Sequence, residues 1–153
     1  MPRGQDYPAQ LQAALRAKGH DVIVSNQGIN GDTTGGALSR LDAALGPDAK
    51  IAIVEFGAND LRRHVPPQLM RANMAEIVRT LRARGVEVLV VGLGRLDLSA
   101  VAKASGALYA QWTLPPGRYR ARDGAHFNAE GYAIVVRHML PQVETLIARV
   151  LHK

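Results

Sequence analysis

Three short polar segments of the sequence carry the residue types that acyl-transfer chemistry needs. They are Gly31-Asp32-Thr33, Gly57-Ala58-Asn59-Asp60 and Asp123-Gly124-Ala125-His126. An aspartate three residues before a histidine can orient the imidazole and stabilise its protonated form. The backbone N–H of Gly31 and the side-chain amide of Asn59 can both donate to a developing oxyanion. Together the segments offer a general base, a carboxylate that orients it, and oxyanion donors.

Each segment taken alone has a simpler interpretation. The sequences Gly-Asp-Thr-Thr at 31–34 and Gly-Ala-Asn-Asp at 57–60 are both typical of turns and helix caps. A histidine near an aspartate is more often a structural surface pair than a catalytic dyad. The chemical interpretation therefore depends on where the segments lie. Each follows a predicted strand or precedes the last helix, at the carboxyl edge of a parallel sheet, where open α/β sheets place their sites.

Strands and helices are predicted to alternate along the chain. Buried strands are predicted at Val22–Val24, Ile51–Val54 and Val86–Val91. The continuous apolar run Ile51–Val54 is typical of a strand covered on both faces. Helical patterns lie between and around these strands, from Asp6 to Gly19, from Thr34 to Leu45, from Pro66 to Gly85, weakly after Leu98, and from Asn128 onward. Pro141 should kink or break the last of these helices. A turn is predicted at Leu114–Gly117. The pattern predicts an α/β three-layer sandwich, a parallel sheet between helices, in a single domain spanning 1–153.

Composition narrows the classes of function. The chain has 153 residues, a net charge of +6 and no cysteine, which excludes disulfides and thiolate metal sites. His20, His64, His138 and His152 show no metal-ligand spacing with carboxylates, so no metal site is expected. No apolar run approaches the ~20 residues that a membrane span needs. The basic charge leaves a nucleic-acid-binding α/β domain as an alternative, but scattered arginines and an aromatic content of 5% favour a solvated basic surface.

The order and spacing of the three segments resemble the SGNH (GDSL-like) hydrolase family, in particular its bacterial arylesterase and thioesterase/lysophospholipase branch. The family's second, third and fifth blocks are matched by Gly31-Asp32-Thr33, Gly57-Ala58-Asn59-Asp60 and Asp123-Gly124-Ala125-His126. The resemblance runs from about Pro2 to Leu140 and implies a flavodoxin-like fold. It also implies hydrolysis of a small-molecule carboxylic ester or thioester without a cofactor. By resemblance, His126 and Asp123 are catalytic, Gly31 and Asn59 form the oxyanion hole, and Asp32 and Asp60 support it.

One block of the family is missing from the sequence. The first block, Gly-Asp-Ser-Leu, supplies the nucleophile, and none of the serines at 25, 39, 99 and 105 follows a Gly-Asp pair. We therefore expect that the chain is N-terminally truncated, lacks the family's first strand, and is inactive on its own. A missing inner strand would leave edges that favour a strand-exchanged dimer.

Two questions stay open at this stage. The alternative to an enzyme is a non-catalytic relative of the family. Such a protein would bind acyl or glycan ligands, or would serve only as the partner of another chain. The first residues contain no apolar leader, so the protein either stays inside the cell or has a leader upstream. The compartment is not predicted.

Overall fold

A computed structural model describes residues 4–113, 117–124 and 126–153, so most of the turn predicted at Leu114–Gly117 lies outside the described residues. The helices are α1 (Tyr7–Ala17), α2 (Thr34–Ser39), α3 (Leu41–Ala44), α4 (Ala58–Arg62), α5 (Pro67–Ala83), α6 (Ser99–Ala104) and α7 (Ala129–Leu151). The strands are β1 (Ile51–Glu55), β2 (Glu87–Leu93) and β3 (Leu108–Trp112), and a single 3₁₀ turn covers Gly117–Tyr119.

The chain divides into two compact units, which are described separately below. The first unit combines Met1–Asn26 with Leu114–Thr145, and the second combines Gln27–Thr113 with Leu146–Lys153. The single domain predicted for residues 1–153 stays a prediction.

The second unit is built around a parallel sheet in the order β1-β2-β3. In its register Val54 is opposite Val90, and Val90 is opposite Tyr109. The central strand β2 is buried from its first residue to Gly92, in agreement with the buried strand predicted at Val86–Val91. The predicted α/β class, a parallel sheet flanked by helices, is therefore confirmed.

The helix α5 supplies much of the core beside this sheet. Pro67 stands in its first turn, and the chain leaves it at Gly85 with φ +77°. Five of its apolar residues recur at helical spacing and are buried: Met70, Met74, Ile77, Val78 and Leu81. They pack in one cluster with Val54 of β1 and with Val88 and Val90 of β2.

The strand β1 differs from its prediction. The structure buries Val54 but leaves Ile51, Ala52 and Ile53 only partly covered, so the expectation of a strand covered on both faces is wrong here. The reason is position in the sheet, because β1 pairs with β2 alone among the described residues.

The strand predicted at Val22–Val24 is absent from the described sheet. Ile23 is 85% exposed, and the backbone groups on either side of it bond to side chains of α1 instead. The carbonyl oxygen of Val22 accepts from Arg16 Nε at 2.9 Å, and the N–H of Val24 donates to Gln12 Oε1 at 2.8 Å. Three apolar residues are too few to specify a strand without a neighbouring strand to pair with.

Two helical predictions need correction as well. The helix predicted over Thr34–Leu45 is interrupted at Arg40, whose backbone leaves the helical region (φ −106°, ψ 5°) while its side chain bonds to Asp32. The helix α7, by contrast, is not broken at Pro141 but continues to Leu151. Buried residues before and after the proline, Met139 and Val143, hold the helix against the lost backbone hydrogen bond.

In the first unit, α1 and α7 begin with side-chain caps that the sequence predicts. Asp6 accepts from the N–H of Ala9 at 3.0 Å, and Asn128 accepts from the N–H of Gly131 at 3.0 Å. The end of α1 is tied to α7 because Glu144 pairs with Lys18 at 2.6 Å and with His20 at 3.0 Å.

Across residues 4–113, 117–124 and 126–153, none of the helices combines the length and the apolar composition needed to cross a membrane.

Candidate active site

Only glycine fits without strain at position 57, in the loop after β1. Gly57 adopts φ +114°, in the left-handed region, and a Cβ atom there would lie 2.4 Å from Leu96 Cδ2. Because the chain turns so sharply, α4 begins at Ala58 and places Asn59 and Asp60 in its first turn. The predicted oxyanion donor therefore sits on a short helix immediately beyond the end of a strand.

Asn59 and the Gly31-Asp32 loop are joined directly. The Nδ2 of Asn59 donates to the backbone oxygen of Asp32 at 2.9 Å, and Arg63 Nη2 donates to the backbone oxygen of Gly31 at 2.9 Å. The amide nitrogen of Asn59 carries a second hydrogen that the bond to Asp32 does not use. The structure thus brings the two predicted oxyanion donors, Gly31 and Asn59, into one cluster.

Asp60 is the buried anchor of this cluster. Its side chain is inaccessible to solvent, and its two oxygens accept from the N–H of Thr34 at 2.9 Å and from the hydroxyl of Thr34 at 2.5 Å. Asn73 of α5 in turn donates to the Thr34 hydroxyl at 3.3 Å. Buried carboxylates are stable only with such partners, so Asp60 fixes α4 against the start of α2.

Asp32 holds the loop from the other side. Its Oδ1 accepts from the N–H of Thr33 at 2.9 Å, and its Oδ2 pairs with Arg40 Nε at 2.7 Å. Arg40 also donates to the backbone oxygen of Gln27 at 2.9 Å, which closes the loop on itself. Asp32 therefore holds the backbone next to Gly31 in place, and its supporting role stays a prediction.

Asp123 and His126 form a pair in the first unit. The Nδ1 of His126 lies 2.6 Å from Asp123 Oδ2, and the backbone N–H of His126 donates to Asp123 Oδ1 at 3.0 Å. With Asp123 ionised, Nδ1 carries the proton and Nε2 keeps a lone pair, which is the tautomer of a general base. Both side chains are half exposed.

The loop that carries this pair is fastened to the start of α7. The backbone N–H of Asn128 donates to Tyr119 O at 2.8 Å, and its Nδ2 donates to Arg118 O at 2.7 Å. At Gly131 a Cβ atom would lie 2.6 Å from Tyr119 O, so the loop and the helix approach each other more closely than any side chain would allow.

Sequence reasoning missed several residues that hold the site together. Thr34 and Asn73 partner Asp60, Arg40 partners Asp32, and Gly131 admits the histidine loop. Thr34 directly follows the Gly-Asp-Thr segment, which was a usable signal. Nothing in the sequence pattern links Asn73, Arg40 or Gly131 to their partners.

No group of three or more histidine or acidic side chains within the described ranges is arranged to hold a metal ion.

The chain matches the model of the GDSL-like lipase/acylhydrolase family over residues 2–113. That range includes the Gly31 and Asn59 segments and ends before Asp123 and His126. The chain therefore belongs to the GDSL-like lipase/acylhydrolase family.

Two curated relatives are esterases. The chain is 34% identical to Esterase TesA of Pseudomonas aeruginosa over 114 residues, which cover 70% of this chain and 57% of that protein. It is 36% identical to an arylesterase of Vibrio mimicus over 94 residues, which cover 60% of this chain and 46% of that protein. The chain thus matches about half the length of each curated relative.

A solved structure of TesA resembles the chain over most of its length. The two superpose with a TM-score of 0.84 at 26% sequence identity, covering 95% of this chain and 91% of that one. The fold is therefore that of an esterase of this family.

Proposed function

We propose that this chain is the greater part of an ester hydrolase that cleaves a carboxylic ester or thioester by attack of a serine. The serine is supplied from outside these 153 residues, because no Gly-Asp-Ser occurs in the sequence. The 2.6 Å contact between His126 Nδ1 and Asp123, in a chain whose relatives are esterases, carries the proposal.

In the proposed reaction the serine hydroxyl attacks the acyl carbon while His126 Nε2 takes its proton. Asp123 stabilises the resulting imidazolium, which then protonates the leaving alcohol or thiol. Asn59 Nδ2, the N–H of Gly31 and the serine's own N–H hold the oxyanion. Water, deprotonated by His126, releases the acid from the acyl-enzyme and restores the serine. No cofactor takes part.

The substrate is proposed to be a small ester of the kinds named for the branch: an aryl ester, an acyl thioester or a lysophospholipid. The names of the relatives, an esterase and an arylesterase, support the first kind most directly. A simple aryl ester is therefore the first substrate to test.

The test compares hydrolysis of p-nitrophenyl butyrate by the 153-residue chain and by a protein that also includes the residues encoded upstream. We expect activity in the longer protein only. There, His126→Gln should lower kcat by about a thousandfold or more, and Asn59→Ala by about a hundredfold with KM little changed. The exposed His138 of α7 offers a matched control, and His138→Gln should leave kcat unchanged.

Equal activity of the two proteins would contradict the proposed origin of the serine. Full activity of the His126→Gln variant would contradict the role of the histidine. Hydrolysis by neither protein would favour the non-catalytic alternative, a relative that binds its ligand without cleaving it.

A further inference from the structure

A pocket of about 360 Å³ lies in the second unit, lined by residues of α4, α5, the end of β2 and the loop that follows it. Its apolar lining comes from Leu61, Pro67, Met70, Leu93 and Leu96, and two arginines, Arg71 and Arg95, complete it. The volume is at the small end of the range for ligand pockets in proteins. The pocket therefore suits a short aliphatic group and not a long acyl chain.

The pocket shares a wall with the proposed oxyanion loop. Leu96 and Met70 are the two side chains that a Cβ atom at Gly57 would meet, at 2.4 Å and 3.2 Å. Leu61 follows Asn59 on the same short helix α4. A group bound in this pocket would thus lie next to the loop residue Gly57, which leads into Asn59 on α4.

The charged part of the pocket is positive. Arg71 and Arg95 are exposed, and neither makes a hydrogen bond or ion pair with another residue in the described part of the chain. The pKa of the Asp97 carboxyl is lowered, chiefly by hydrogen bonds from Ser99 and to a lesser degree by the charge of Arg71. Asp97 accepts hydrogen bonds from Ser99, and Arg71 is the only one of the two arginines whose charge acts on it. The rim of the pocket therefore keeps an excess of positive charge.

We propose that this pocket binds a short aliphatic chain that ends in a carboxylate, as in a monoester of a dicarboxylic acid. The inference rests on the proposed function in that it names the substrate class of that site. The apolar lining removes the methylene groups from water. The guanidinium groups of Arg71 and Arg95 pair with the terminal carboxylate, which matches their planar donor geometry.

The binding part of the proposal is testable on the 153-residue chain without any hydrolysis. Sodium hexanoate and neutral hexanamide are titrated separately, and the methyl resonances of Met70 and Leu96 are followed by NMR. We expect both resonances to shift with hexanoate, and hexanamide to bind about tenfold more weakly. Hexanoate binding should weaken as salt is added, because the arginines are exposed.

Variants separate the charge effect from a change in fold. Arg71→Gln and Arg95→Gln should each weaken hexanoate binding about threefold, and together about tenfold, without changing hexanamide binding. Arg95→Lys, which keeps the charge, should retain most of the affinity. Arg79→Gln is the matched control, since Arg79 lies on the same helix and pairs with Glu76 outside the pocket. Equal binding of the two ligands, no shift at Met70 or Leu96, or binding unaffected by the double substitution would overturn the proposal.

Kinetics of the longer protein test the substrate class. The p-nitrophenyl monoester of glutaric acid should be cleaved with a higher kcat/KM than p-nitrophenyl butyrate, and the double arginine variant should abolish this preference. Hexanoate binding without hydrolysis of either ester would contradict the proposed function but not the proposal that the pocket binds a carboxylate-ended chain. Hydrolysis of p-nitrophenyl butyrate, with no hexanoate binding and no preference for the glutarate ester, would overturn the pocket proposal and leave the proposed function standing.

Discussion

Three carboxylates of the candidate site each hold another group of their own unit in place. Asp32 and Asp60 bond to backbone and side-chain donors of their own unit, and Asp123 holds the ring of His126. The two roles differ in burial, since Asp60 is fully enclosed and Asp123 is half exposed. We infer that Asp60 mainly stabilises the loop structure, whereas Asp123 orients the ring of His126 and fixes its tautomer.

Replacing Asp123 should change the tautomer of His126. With Asp123→Ala, the neutral ring loses the acceptor that keeps its proton on Nδ1, and Nε2 becomes protonated in part of the molecules. The ¹⁵N chemical shifts of the two ring nitrogens, measured above neutral pH on the 153-residue chain, report this directly. In the longer protein the same change should lower kcat by about a thousandfold.

The exposed Asp21 provides a control of the same residue type in the same unit, and Asp21→Ala should leave the ring shifts unchanged. If Asp123→Ala also left them unchanged, the 2.6 Å contact would not determine the tautomer.

At the residue scale the sequence is informative where short motifs carry the chemistry. The pair Asp123 and His126 could be predicted because the two residues lie three positions apart in one motif. The motifs at Gly31 and Asn59 could be recognised singly, but the bond from Asn59 to Asp32 joins residues 27 positions apart. The bond between Asp60 and Thr34 could not be predicted, because it joins residues 26 positions apart and depends on how two helices pack.

At the scale of elements, prediction succeeded where one periodicity dominates. The helix α5 has a stripe of large apolar residues, and β2 is apolar without a break from Val88 to Leu93. The strand β3 was missed because its residues are mixed, with Gln111 exposed between the buried Ala110 and Trp112. The strand expected at Val22–Val24 was wrong because a local run cannot show whether a pairing partner exists.

The turn between β1 and α4 should tolerate no side chain at Gly57. Gly57→Ala combines a left-handed backbone with a contact of 2.4 Å to Leu96 Cδ2, and should lower the free energy of unfolding by about 2–4 kcal/mol. Urea denaturation measures the loss.

A variant at Gly85 separates the cost of the left-handed backbone from the cost of the contact with Leu96. It has a similar backbone, φ +77°, but no atom within 4 Å of the Cβ position, so Gly85→Ala should cost only about 1–2 kcal/mol. An equal loss of unfolding free energy in the two variants would show that backbone strain alone causes it and that the Leu96 side chain moves aside at little cost.

At the scale of the molecule, a buried carboxylate links distant parts of the chain in the second unit. Glu87 opens β2, its side chain is 4% exposed, and it pairs with Arg82 at 2.7 Å and with Lys153 at 2.9 Å. Arg149 of α7 lies 3.9 Å away. This cluster fastens the end of the chain to the sheet.

The cluster should make stability depend on pH. The hydrogen bond from Lys153 lowers the pKa of Glu87 below its ordinary value of 4.5 and outweighs the opposing effect of burial, with Arg82 adding to the lowering. Because the folded chain favours the ionised form, this stabilisation is full above pH 4.5 and is lost as the pH falls through the folded-state pKa.

Comparing Glu87→Gln with the unmodified chain isolates the effect. We expect the variant to be less stable by about 1–3 kcal/mol in urea at neutral pH, and the difference to shrink as the pH falls below 4.5. The half-exposed Glu76, which pairs with Arg79 at the surface of α5, is the control of the same residue type. Glu76→Gln should change stability by less than about 0.5 kcal/mol. A difference that stays constant down to low pH would contradict the role of the Glu87 charge.

The family assignment extends over most of the chain, but the matches cover only 57% and 46% of the two curated relatives. The sequence predicted the family correctly because three motifs occur in the right order. It could not identify the acyl group or the leaving group, because those depend on the pocket surfaces that packing creates.

The most direct test of the proposed serine mechanism is intact-mass analysis after exposure to a fluorophosphonate. The 153-residue chain and the longer protein with its upstream residues are treated side by side. We predict one covalent label on the longer protein, located by peptide mapping on a serine outside these 153 residues, and none on the shorter chain. A label on a serine of the 153-residue chain would contradict the account.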